Sequence, residues 1–163
     1  MRDVRWLDKS TQTMNALRAI DREPRGTTYV ALIRFAAAER STFSLTWRHQ
    51  LKFDANTKQV EDALRSSLIR LETTETWPGT QLIGHAAIVR FYELSAAAQA
   101  LLEDAGRLFA WLAPNRPEDL AFYTASGRYW LASIAHERAA FIDPDAVDVR
   151  QLLASVPGLR LLD

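Results

Sequence analysis

Five polar side chains in the last third of the chain could act together: Arg116, Glu118, Asp119, His136 and Glu137. A histidine changes charge near neutral pH, and with a carboxylate beside it forms a general base or a polar anchor for a ligand. A hairpin pattern closes the gap between them. Leu120-Ala121-Phe122-Tyr123-Thr124 and Arg128-Tyr129-Trp130-Leu131-Ala132 flank Ala125-Ser126-Gly127. A three-residue loop ending in glycine fits a type I turn closed by a bulge, with Gly127 supplying the positive φ. This register pairs Thr124 with Arg128, Tyr123 with Tyr129 and Phe122 with Trp130. Followed outward, it sets Asp119 opposite Ser133, Glu118 opposite Ile134 and Arg116 opposite His136, so the five polar residues meet at the open end. In the plainer reading, His136 bonds Asp119, Glu118 or a backbone carbonyl to hold that mouth closed, and Arg116 or Arg138 neutralises the carboxylates. The same hairpin presents Tyr123, Arg128 and Tyr129 as a partner surface, because tyrosine and arginine are enriched at protein contacts.

Sharper chemical patterns fail. His136-Glu137 lacks the second histidine of a zinc-protease helix, since position 140 is Ala140. The run Asp143-Pro144-Asp145-Ala146-Val147-Asp148 has no glycine at its sixth position, and Ala154 stands where a calcium loop needs glutamate. Adjacent residues of a strand point to opposite faces, so Glu118 and Asp119 make a poor glycosidase pair. No phosphate loop or nucleophile elbow is present, and no cofactor or metal is expected. With no cysteine, disulfides and thiolate chemistry are excluded.

Twenty basic residues balance twenty acidic ones, so no net field draws the chain to nucleic acid or an anionic membrane. Arg128-Tyr129-Trp130 and Arg90-Phe91-Tyr92 serve as well in strand pairs as in base stacking. No uncharged segment reaches the roughly 18 apolar residues of a membrane span. The opening MRDVRWLDKS lacks a signal-peptide core, which makes a cytoplasmic location the expectation. Arginine far outnumbers lysine, which suggests a GC-rich bacterial genome.

The elements that must position these residues follow from periodicity. Residues 8 to 21 predict a first helix through Met14, Leu17 and Ile20. Tyr29, Ala31, Ile33 and Phe35 alternate with Val30, Leu32 and Arg34, predicting a central strand from Thr27. Phe43, Leu45, Trp47, His49, Leu51 and Phe53 predict a second strand with one wet face and His49 on the apolar side. Asn56-Thr57-Lys58-Gln59 reads as a capping box for a helix carrying Val60, Ala63, Leu64, Leu68 and Leu71. Glu72 to Gly84 reads as a loop with an edge strand at Leu82. His85 to Glu93 predicts a strand, Ser95 caps a third helix to about Ala113, and Asp143-Pro144 starts a last helix to about Ala154.

The chain thus reads as one α+β domain over residues 1–163: a largely antiparallel sheet of about five strands with helices packed on it, in the order αββαβαββα. The leading functional expectation is a small soluble bacterial protein that is non-enzymatic and binds another protein, in the manner of an immunity or scaffold module. The competing expectation is a small hydrolase or ligand-binding enzyme using His136 with Asp119 or Glu137.

Overall fold

A computed structural model describes residues 17–163. Most of the expected first helix lies outside them, and its last part is extended instead: Arg18–Ala19 forms β1. The expected strand from Thr27 is a helix, α1 (Gly26–Ala38). Tyr29, Leu32, Ile33 and Ala36 recur at three- and four-residue spacing and are all buried together with Phe35. So many positions are apolar that a period of two fits as well. Thirteen residues ending in three alanines suit a helix better than a strand.

The second strand is present but shorter: β2 (Thr42–Arg48) is buried on both faces, Ser44 and Thr46 included. It stops before His49, which sits exposed in a turn and not on an apolar face. Asp54 caps α2 (Ala55–Leu64), its carboxylate accepting from the backbone N–H groups of Asn56 and Thr57. The cap therefore stands two residues before Asn56. After Leu64 the chain turns through residues 65–67 and becomes β3 (Leu68–Thr74), so Leu68 and Leu71 belong to a strand.

The expected loop to Gly84 holds a two-stranded hairpin of its own, β4 (Thr76–Trp77) and β5 (Thr80–Gln81). Strand β6 (Ala87–Glu93) follows as anticipated, and the Ser95 hydroxyl caps α3 (Ala96–Asp104). This helix ends far short of Ala113, because Gly106 adopts a left-handed φ of 77° that no helix interior accommodates. Strands β7 (Glu118–Tyr123), β8 (Tyr129–Ile134) and β9 (Ala139–Ile142) form a meander. The last helix, α4 (Val149–Ser155), is capped by Asp148 and not by Asp143.

The architecture is α+β, with seven strands in the main sheet, ordered β1-β9-β8-β7-β2-β6-β3, and every pairing antiparallel. Helices α1, α3 and α4 contribute to one core against one sheet face, where Phe43, Leu45, Phe122 and Trp130 point. Phe122 stacks on Trp130 with ring centres 5.4 Å apart, and Phe35 of α1 meets the same indole edge-on at 5.6 Å. Inside this core, Trp111 Nε1 donates to Tyr29 Oη (3.0 Å), which donates onward to the Leu102 carbonyl (2.6 Å). The opposite face carries two smaller clusters, one around Tyr123 and Tyr129 and one around Trp77. Among the described residues, no helix is long and apolar enough to cross a membrane.

Candidate functional site

The hairpin turn forms as its sequence suggests. Gly127 takes a φ of 87°, its N–H donates to the Thr124 carbonyl (3.0 Å), and the Thr124 N–H donates to the Arg128 carbonyl (2.8 Å). Tyr123 faces Tyr129, but the ladder then shifts: Phe122 faces Leu131 and Ala121 faces Ala132. Trp130 is the extra residue of a bulge, which lets Trp130 and Leu131 both enter the helix-side core. Every pairing below the bulge therefore moves by one residue from the expected register. Ser133 meets Leu120, its hydroxyl donating to the Leu120 carbonyl at 2.7 Å, and not Asp119.

A second bulge governs the carboxylates. Ser44 faces Ala121 while Thr46 faces Glu118, so β7 spends one extra residue between these pairs. Asp119 adopts a left-handed φ of 59°, which aspartate tolerates better than most residues. The bulge reverses the expectation that Glu118 and Asp119 point to opposite faces. Both reach the face that carries Trp77. Glu118 accepts from Arg48 Nε at 2.7 Å, and both partners are largely withdrawn from solvent. Asp119 Oδ2 accepts from Trp77 Nε1 (2.9 Å) and Oδ1 from the Ala135 N–H (3.0 Å). This one carboxylate thus pins the β4–β5 hairpin and the end of β8 to the start of β7. Burial, reinforced by neighbouring Glu118, outweighs these donors and pushes the Asp119 carboxyl up to about 7.

The other predicted site residues are placed differently. His136 and Glu137 lie in a single turn of 3₁₀ helix after β8, exposed, with Nε2 and Oε1 3.8 Å apart. Arg116 lies over the Trp111 ring, its guanidinium carbon 5.7 Å from the centroid. Both oxygens of Asp119 are already engaged by Trp77 and Ala135. Tyr123 and Tyr129 are only 6% and 1% exposed, so they offer no open partner surface. Tyr123 Oη lies 3.0 Å from Ser44 Oγ, and Arg128 grips Asp143 through Nε at 2.8 Å. His85 is exposed in the loop before β6.

No protein family, curated protein or solved structure matches the chain.

An unanticipated feature lies at the far edge of the sheet. Among the described residues, strand β3 pairs with β6 on one side only and is terminal in the sheet order. Of the six large apolar side chains exposed among the described residues, three are on it: Leu68 (37%), Ile69 (50%) and Leu71 (56%). The opposite edge is β1, two residues long. Edge strands are usually short, charged or covered, because their unpaired N–H and C=O groups template another strand. This one is seven residues long, and Leu68, Ile69 and Leu71 are exposed along it beside Arg70 and Thr73. A sequence signal was available: Ile69, Leu71 and Thr73 alternate with Arg70, Glu72 and Thr74.

Proposed function

We propose that this protein is a non-enzymatic binding module of the immunity or scaffold kind, which takes a strand of another polypeptide chain onto the free edge of β3. The observation that supports this reading is the exposed apolar edge, Leu68-Ile69-Arg70-Leu71. In strand addition, main-chain hydrogen bonds supply affinity and alternate side chains supply specificity. Leu71 and Ile69 would furnish the apolar contacts, while Arg70 and Glu72 would select the partner's charges. The hydrolase reading draws less support, since the Asp119 carboxylate is buried with both oxygens bonded and His136 lies outside on the surface.

The test compares two leucines that are exposed to solvent on different elements. Leu71→Lys should abolish co-purification of the partner with the tagged protein, whereas Leu153→Lys, on α4, should leave it intact. Equal recovery with both variants would show that binding does not use this edge. Turnover of a substrate that disappears in His136→Ala would favour the enzyme instead.

A further inference from the structure

Resting on the edge-strand reading and specifying its occupant, we propose that β3 pairs antiparallel with β3 of a second copy, about a two-fold axis through Leu71. A two-fold axis normal to a continuous antiparallel sheet must pass between a residue and its own symmetry mate, because directly opposite side chains share a face. In the regular part of β3, centring on Thr73 or Thr74 leaves Arg70 and Glu72 facing no opposite charge. Centring on Arg70 sets two guanidinium groups against each other, and centring on Glu72 sets two carboxylates against each other. Like charges directly opposite are destabilising. Centring on Leu71 places the two leucines together and Arg70 of each copy opposite Glu72 of the other.

The local geometry is already arranged for this. Arg70 and Glu72 are two residues apart on one face of the strand and bonded at 2.9 Å. The Arg70 guanidinium carbon sits 3.7 Å from the Phe91 ring centre, which holds the charge over the sheet. Across the axis the two pairs would form a ring of four alternating charges. Leu71, on the opposite face and more than half exposed, would bury its side chain against its mate. The bulge at Ile69 falls outside the three central pairs and does not interrupt them. The self-complementary order of charge, leucine, charge is what selects a second copy of this chain over an unrelated strand.

Sedimentation across a wide concentration range, with circular dichroism to confirm folding, tests the proposal. The wild type should sediment as a dimer. R70E and E72R, both at exposed side chains, should each weaken self-association by at least about tenfold. An equimolar mixture of R70E and E72R should dimerise again, because the carboxylate introduced in one then faces the guanidinium introduced in the other. A folded mixture that stays monomeric would overturn the register, and so would a wild type monomeric at every concentration. Hydrogen exchange on the same samples separates this failure from failure of the edge reading. A monomer whose β3 amides exchange rapidly would overturn self-pairing alone and leave the edge free for another strand. Protection of the outward β3 amides that is independent of concentration would overturn both.

Discussion

Asp119 shows how a single residue can join three elements and carry a pH dependence with it. Its carboxyl titrates near 7 in the folded chain against 3.8 when free, so between these values the folded state holds a proton that the unfolded state releases. This contribution to stability is complete below the lower value and is lost as the pH rises through the upper one. It amounts to something on the order of a few kcal/mol. Urea midpoints measured from about pH 5 to about pH 8 should fall for the wild type, and Asp119→Asn, which cannot ionise, should flatten that fall. An unchanged slope in the variant would assign the titration elsewhere. The neighbouring Arg48–Glu118 pair makes a separate prediction. Arg48→Ala strands a buried carboxylate and should cost about 3–5 kcal/mol in chemical denaturation. Removing both charges, with Arg48→Met and Glu118→Leu together, should cost much less than the sum of the single losses.

At the scale of elements, local chemistry decides boundaries that periodicity leaves open. Asp54→Ala should destabilise the fold by about 1 kcal/mol in thermal unfolding, while Asn56→Ala should be nearly neutral, since only the Asp54 carboxylate accepts from the first turn of α2. Equal losses would restore Asn56 as the cap. The turn at Gly127, strand β6 and the Ser95 cap were legible in the sequence because each rests on a residue with one strong local preference. The helix at α1 was not, because its apolar positions satisfy both periods. Strand β3 was hidden for a related reason: Leu64, Leu68 and Leu71 imitate a helical stripe across a turn that breaks the helix after Leu64. The site was half legible. The sequence brought Glu118 and Asp119 to the right end of the hairpin, but a bulge at Asp119 and another at Trp130 reset which faces they and their neighbours occupy. A bulge adds a single residue without changing composition, so alternation alone does not reveal it.

Across the whole molecule, the two sheet edges are unequal. One closes on two residues of β1 and the other ends in a seven-residue strand carrying exposed leucine and isoleucine. The buried carboxylates and the stacked aromatics hold the sheet together, and among the described residues β3 is the edge strand left with bonding capacity to offer. This division of labour predicts where a bound partner must leave its mark. Amide hydrogen exchange along residues 68–74, compared between the dilute monomer and the paired state, is the most direct test. Strand addition predicts that the outward-facing β3 amides, rapid in the dilute monomer, slow sharply once β3 is paired while those of β2 and β8 stay as they were. Exchange in β3 that is unaltered by binding, with protection gained on another surface, would contradict it.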